Sequence, residues 1–446
     1  MSALARYFKA NNKDVSGYDK VATFLTSELE SEGIKIHFQD SINLIPAYIS
    51  DSLNKENILI IYTPAIPSDH SELNFFKLNN YTVKKRSEVL GEITKNEYSI
   101  AVAGTHGKTT TSSIIAHILK FSGRDCTAFL GGISKNYNTN FILPDSINEN
   151  VTIVVEADEY DKSFLTLYPD IAVITSMDAD HLDIYGDKKQ LEENFQKFSR
   201  HVKPSGKLFA KQDLGFTNNS YSYSINKEAD FKAVNINIKE HHYFFDLYGK
   251  FGIIKELSLG LPGIHNVENA LVATAVGQYL GIENGAIKEA VKSYSGVKRR
   301  FDLRFNSNGI IYIDDYAHHP EEIRACIQSV KELYPNKKIT GIFQPHLFSR
   351  TRDFVDGFAK SLSMVDELIL MDIYPARELP IAGITSAIIY DKVTIQNKRI
   401  LSDKQIINEI ENGKFELLLT LGAGDIDKLV EPIETIIKER FKIKNQ

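Results

Sequence analysis

Apolar residues in this chain gather in short unbroken runs rich in Val and Ile, and each run stops at Gly, Asp, Glu, Gln or His. Residues 98–103 run into Gly104-Thr105-His106-Gly107-Lys108, 151–155 into Glu156-Ala157-Asp158-Glu159, and 171–175 towards Asp178-Ala179-Asp180-His181. Residues 310–313 stop at Asp314-Asp315-Tyr316-Ala317-His318-His319, 338–343 at Gln344-Pro345-His346, and 417–421 at Gly422-Ala423-Gly424-Asp425. A helix-like stretch follows each stop. Runs without polar alternation predict strands buried on both faces, and their spacing leaves room for crossover helices. Open parallel sheets bind ligands beyond the carboxyl ends of their strands, which is where the polar residues fall. The pattern predicts an α/β protein.

Three domains follow. Residues 1–93 carry strand-like segments at 14–17, 34–38 and 58–62 and predict a small Rossmann-like domain. Residues 94–295 predict a P-loop ATPase domain with a mostly parallel sheet, and 296–446 a second Rossmann-like domain. Alternating and aromatic segments within 209–259, such as His242-Tyr243-Phe244-Phe245, predict an antiparallel addition to the middle domain.

Composition narrows the class. The chain has 446 residues, 43% apolar and 25% charged, which suits several folded domains and excludes wholesale disorder. A net charge of −6 gives no footing for nucleic acid or an anionic membrane surface. No apolar run approaches the roughly 18 residues of a membrane span, and the first residues lack a signal peptide's apolar core. Two distant cysteines, Cys126 and Cys326, indicate neither a disulfide framework nor a zinc site. A cytoplasmic protein is expected.

The strongest local signal is Gly104-Thr105-His106-Gly107-Lys108-Thr109-Thr110, a tight loop between a strand and a helix. Glycines let backbone N–H groups turn towards phosphate oxygens, and the helix N-terminus adds a favourable dipole. Lys108 would reach the β- and γ-phosphates and Thr109 a divalent ion. The usual first glycine falls at Val102, so the loop is a shortened variant. Glu156, Asp158 and Glu159 at the next strand end suit a divalent cation, although a solvated acidic loop would look the same. His181, at a third strand end, joins them.

Asn266 and Asn269 lie three apart and so share a helical face, where capping is the plain alternative. Arg299-Arg300, between the second and third domains, could reach a transferring phosphoryl group from across a cleft. In the third domain, Asp315, His319, His346, Arg350 and Arg352 gather at strand ends, and their cationic and imidazole groups suit a carboxylate-bearing substrate. The paired His318-His319 leaves metal binding open.

Taken together, these motifs resemble the Mur ligase family, the ATP-dependent amide-bond-forming enzymes of peptidoglycan synthesis. Residues 104–111, Asp180-His181, His265-Asn266 through Asn269, and Arg300 carry the family's general marks. Residues 156–159, Ser163-Phe164-Leu165, 315–320, Phe343-Gln344-Pro345-His346 and Tyr374-Pro375-Ala376-Arg377-Glu378 resemble its L-alanine-adding members. The resemblance implies ATP-driven joining of L-alanine to the lactyl carboxylate of UDP-N-acetylmuramate through an acyl phosphate. It implies Lys108, Glu156, His181 and Arg300 as catalytic. Gly104, Thr105, His106, Gly107, Lys108, Thr109, Thr110, Asn266, Asn269, Arg300 and Asp315 would hold ATP. Thr109, Glu156 and His181 would bind Mg²⁺, with Mn²⁺ as a substitute, and His319, His346 and Arg350 would form the amino-acid pocket. UDP-N-acetylmuramate and L-alanine are the implied partners, with no nucleic acid or membrane, and the expected state is a monomer or weak homodimer.

Two departures accompany the resemblance. The chain opens at the helix that follows the family's first strand and glycine-rich UDP loop, so the first domain is expected to lack both. Leu347 stands where an arginine is expected in the amino-acid site, leaving Arg350 to carry carboxylate recognition. A ligase for recycled murein tripeptide is the alternative within the family. A regulatory P-loop protein is the alternative outside it.

Overall fold

The computed structural model describes residues 1–64, 66–145, 151–178, 187–307, 309–376 and 378–442. Its backbone divides into two compact units. The first is Met1–Lys232 with Gly249–Gly252 and Leu271–Ala290. The second is Ala233–Tyr248 with Ile253–Ala270 and Val291–Gln446.

In the first unit, β1 (Ser16–Tyr18) pairs in parallel with β2 (Lys35–His37), and β3 (Leu59–Tyr62) with β4 (Thr82–Lys85), as two separate two-stranded sheets. The short β4, Thr-Val-Lys-Lys, has too little apolar character to stand out in the sequence. The helix Ser2–Ala10 lays Ala3 and Leu4 into the core below, and Arg6 reaches Asn140 at 3.2 Å.

The main sheet grows from β5 (Ser99–Ala103), every residue of which is buried. Around it, β6 (Cys126–Ser134), β7 (Thr139–Ile142), β8 (Thr152–Ala157), β9 (Ile171–Ile174), β10 (Lys207–Lys211) and β11 (Ser220–Ser224) give the order β11-β10-β9-β5-β8-β6-β7. Parallel pairing of β5 with both β8 and β9 brings three carboxyl ends to one edge. Ala101, Val155, Ala172 and Leu208 pack on Phe164, Phe195 and Phe198, so helices cover the faces that unbroken apolar runs require.

The antiparallel addition expected within 209–259 is partly corrected. β10 is parallel to β9 and to β11, and β11 is parallel to the start of β12 (Phe231–Lys239). The antiparallel addition itself lies in β12, β13 (His242–Gly249) and β14 (Gly252–Leu259), successive neighbours joined by two-residue connections that only antiparallel pairing allows, and a further antiparallel pair, β6 with β7, lies at the opposite edge. Alternation reports that one face is exposed but not which way a strand runs. The connection between β10 and β11 opens with a 3-10 turn, Gln212–Leu214.

The second unit contains β13 (His242–Gly249) and β14 (Gly252–Leu259) as neighbours, and a separate six-stranded sheet. That sheet has the order β15-β16-β20-β17-β18-β19. Its strands are β15 (Asp302–Ser307), β16 (Ile310–Asp315), β17 (Ile339–Phe343), β18 (Glu367–Leu370), β19 (Lys398–Ile400) and β20 (Leu417–Leu421). β15 is antiparallel and the others are parallel, so the ends of β16, β17 and β20 open on the same side.

Candidate active site

In the first unit, β5 ends at Ala103 and the helix Lys108–Phe121 begins after four intervening residues. Gly104 turns the loop at φ +138°, and a Cβ there would lie 2.0 Å from Thr175 Oγ1. Both the backbone angle and the space demand glycine. The neighbouring strand end pins the loop: His106 N donates to Ser176 Oγ at 2.8 Å, and Asp178 N donates to Thr105 Oγ1 at 3.0 Å. Thr175 Oγ1 donates to the carbonyl of His106, with the carbonyl of Ala103 also within reach at 3.1 Å. His106 Nε2 lies 3.9 Å from Asp178. Thr109 and Thr110 are buried in the first helical turn.

Lys108 folds back under the loop. Its Nζ donates to Gly104 O at 2.7 Å and to Glu159 Oε1 at 2.9 Å, with Glu159 Oε2 at 2.8 Å. Burial works against the ammonium charge, but Glu159, Asp158 and Glu156 more than offset it, so Lys108 is held above its ordinary range. The acidic triplet, which the sequence offered as one cation-binding group, is divided by the fold. Glu159 faces Lys108. Asp158 accepts from Tyr160 N at 3.1 Å and shapes the turn. Glu156 Oε2 accepts from Gly131 N at 2.9 Å.

These donors allow a test for a divalent ion. A Cβ on Gly131 would lie 2.3 Å from Glu156 Oε2, so glycine keeps clear the space around this carboxylate. The Thr109 hydroxyl and the Glu156 carboxylate are hard oxygen donors, the kind Mg²⁺ takes together with phosphate oxygens and water. The residues present fit the ion. His181, the third expected ligand, and Asp180 beside it lie outside the described residues.

In the second unit, Asn266 and Asn269 share one face of the helix Ile264–Tyr279, with Asn269 Nδ2 donating to Asn266 Oδ1 at 3.3 Å. Asn266 Nδ2 also donates to Pro262 O at 2.6 Å, which ties the helix to the preceding loop.

The twin arginines have different settings. Arg299 Nε donates to Asp314 at 3.1 Å and its Nη2 to Gly422 O at 2.6 Å, and Asp314 is fully buried. Burial raises the Asp314 carboxyl, against the lowering by Arg299 and the Thr420 hydroxyl. Arg300 lies over the Tyr316 ring, 4.8 Å from its centroid. Asp315 accepts from Phe301 N at 2.6 Å and Ala317 N at 2.7 Å. Burial pushes its carboxyl up to about 6, with Arg300 opposing. Arg299 at φ +63° and Phe301 at φ +45° flank Arg300 in left-handed backbone, and the bonds to Asp314 and Asp315 hold this strained segment.

The expected amino-acid residues divide as well. His346 follows β17, its ring stacked on Tyr374 at 5.6 Å and edge-to-face with His318 at 5.9 Å. His318 lies 3.3 Å from Glu322. His319 instead caps the helix Pro320–Leu333, accepting from Glu321 N, and packs on Phe354. Arg350 is buried in the short helix Phe348–Asp353. Leu347 begins that helix at φ +69°, a costly angle for a leucine, held by Leu347 N donating to Tyr374 O at 2.9 Å. Arg352 faces outward and bonds Asp353. Gln344 ties the β17 end to the β20 end, donating to Asp425 at 2.6 Å and accepting from Ile426 N. Tyr374 is a neighbour that sequence reading left without a role of its own, while Glu159 and His318, read as possible cation ligands, face Lys108 and Glu322. Their motifs were visible, but only the fold says which side chain turns inward.

A phosphate-type loop at a parallel-sheet edge, and a second sheet bearing cations and imidazoles at its own edge, define a nucleotide-dependent group-transfer enzyme. Family models agree over most of the chain. The Mur ligase family catalytic-domain model matches residues 1–98, the Mur ligase middle-domain model 102–277, and the Mur ligase glutamate-ligase-domain model 299–424.

The UDP-N-acetylmuramate–L-alanine ligase of Flavobacterium johnsoniae is 52% identical over 99% of this chain and 96% of its own length. That of Cytophaga hutchinsonii is 45% identical over 99% and 95%. The crystal structure of UDP-N-acetylmuramate-alanine ligase from Thermotoga maritima is 27% identical with a TM-score of 0.82, covering 100% of this chain and 97% of that one. The chain belongs to the Mur ligase family, and it is an ATP-dependent, ADP-forming amide ligase.

Proposed function

We propose that this chain joins L-alanine to the lactyl carboxylate of UDP-N-acetylmuramate at the cost of ATP, in peptidoglycan synthesis. The observation that carries the chemistry is Lys108, turned inward beneath a glycine loop at the meeting of three parallel strand ends. The acceptor and amino acid follow from the named relatives, at up to 52% identity over nearly their whole length.

The carboxylate is a poor electrophile, so activation comes first. A carboxylate oxygen attacks the γ-phosphorus of ATP, ADP leaves, and an acyl phosphate forms. The amine of L-alanine then attacks the acyl carbon, loses a proton, and the tetrahedral adduct collapses to amide and phosphate. Lys108 and the loop N–H groups place and neutralise the phosphates, which is the protein's main task in such a transfer. Arg300, held over Tyr316 by its strained flanks, supplies positive charge to the moving phosphoryl group. Asn266, Asn269 and Asp315 position the nucleotide.

Thr109 and Glu156, with His181, would hold Mg²⁺, which neutralises phosphate charge when bound. His346 and Arg350 bind the amino acid. His319 supports them by capping the helix Pro320–Leu333. No helix among the described residues is long and apolar enough to cross a membrane, and the reaction is assigned to the cytoplasm.

The test is phosphate release from Mg-ATP with UDP-N-acetylmuramate and, separately, L-alanine, glycine, L-serine or murein tripeptide. Release that requires the sugar nucleotide and is fastest with L-alanine is expected. Preference for the tripeptide would reassign the acceptor, and ATP turnover indifferent to both substrates would remove the ligase assignment.

A further inference from the structure

The Lys108 ammonium has three N–H donors, and it bonds Gly104 O at 2.7 Å, Glu159 Oε1 at 2.9 Å and, at 3.5 Å, Thr105 O, with Glu159 Oε2 in ion-pair contact at 2.8 Å. Glu159 is fully buried, on the turn after β8. That turn is firmly built. Phe164 N donates to Asp158 O at 2.9 Å and Lys162 N to Glu159 O at 2.9 Å, with Lys162 in left-handed backbone at φ +57°. Glu159 therefore has little freedom to turn away.

A phosphate oxygen can bond Lys108 only by displacing one of these partners. Gly104 O and Thr105 O belong to the pinned loop, so a Glu159 oxygen is the one exchanged. The second carboxylate oxygen, 2.8 Å from the ammonium, keeps it tethered while it serves the phosphate.

We propose that Glu159 is a positioning residue for phosphoryl transfer: it aims the Lys108 ammonium, and it competes with the nucleotide for that charge. The proposal rests on the reading of Lys108 as the phosphate ligand. A lysine side chain has four rotatable bonds and a compact charge, so without a second anchor it samples many positions. Transfer requires the cation fixed where charge shifts during reaction. Ground-state binding requires only that a cation be near.

Glu159→Gln separates these two effects. The amide keeps size and one acceptor but removes the competing charge and the two-oxygen grip. ADP without metal should bind at least 5-fold more tightly by calorimetry, the KM for ATP should fall, and kcat should fall at least 10-fold. A fall in kcat and KM together is the mark of a group that costs ground-state binding and serves the transition state. A merely structural Glu159 would lower the melting temperature and the active fraction, leaving ADP affinity per folded site unchanged.

Glu159→Asp, one methylene shorter, should shift ADP affinity and kcat in the same directions by less, and it serves where the glutamine variant folds poorly. In a Lys108→Met background, Glu159→Gln should leave ADP affinity unchanged. If Lys108→Met binds ADP as well as the parent, the phosphate-loop reading fails. If Lys108→Met is impaired while both Glu159 variants keep the parent's ADP affinity and kcat, or bind ADP more weakly, only the role of Glu159 is overturned.

Discussion

Removing Arg299 should expose the cost of the carboxylate beneath it. Asp314 is fully buried, with Arg299 Nε at 3.1 Å and the Thr420 hydroxyl at 2.7 Å as its bonded partners. Breaking a buried pair by deleting one member costs about 3–5 kcal/mol, because the other charge stays uncompensated. The Arg299 side chain is one-fifth exposed and the Thr420 donor remains, so Arg299→Met should fall at the low end, about 3 kcal/mol. For a unit of roughly 200 residues that is about 6–12 °C in Tm. Urea denaturation followed by circular dichroism reads the change directly.

The double variant Arg299→Met with Asp314→Asn removes the stranded charge and should regain at least half of the loss. The pH dependence has a definite sign. Burial already raises the Asp314 carboxyl, and losing Arg299 raises it further. A raised folded-state pKa contributes stability below the unfolded value that is lost as pH rises through the folded value. The Arg299→Met defect should therefore shrink from pH 8 to pH 5. A loss under 1 kcal/mol, or a double variant no better than the single, would refute the account.

Gly131→Ala should leave the fold intact, because the atom it crowds is the end of a flexible Glu156 side chain. It should raise the Mg²⁺ concentration needed for half-maximal activity several-fold, and an unchanged requirement would take Glu156 out of the ion site. Arg350→Ala and His346→Ala should each raise the KM for L-alanine more than that for ATP in steady-state assays, and the reverse pattern would remove them from the pocket. Burial lowers His117 to about 4, with its Nδ1 2.8 Å from Tyr137 Oη. A lowered histidine gives stability that is present above its unfolded value, near 6.5, and lost as pH falls towards 4. His117→Gln should flatten denaturation midpoints over that window, and an unaltered slope would show that His117 does not set it.

Unbroken Val- and Ile-rich runs, each closed by a polar cluster, determined the α/β class and most buried strands, because burial on both faces leaves that mark in one dimension. The glycine loop with Lys108 and Thr109 was legible for a similar reason: its chemistry lies in consecutive residues whose backbone does the work. Contacts between distant residues were not legible. That Arg299 anchors while Arg300 lies over Tyr316 depends on Asp314, Gly422 and two left-handed residues.

The fates of Glu156, Asp158 and Glu159 depend on which way the end of β8 and the turn after it point each carboxylate. His346 met Tyr374 only once β17 and β18 were laid side by side, whereas the His319 cap is a contact with Glu321 two residues on. The parallel direction of β10 and β11 was hidden too, since alternation reports exposure and not polarity. Local pattern fixes which residues are buried and which backbone can turn. Partner choice is a matter of three-dimensional proximity, and only the tertiary structure decides it.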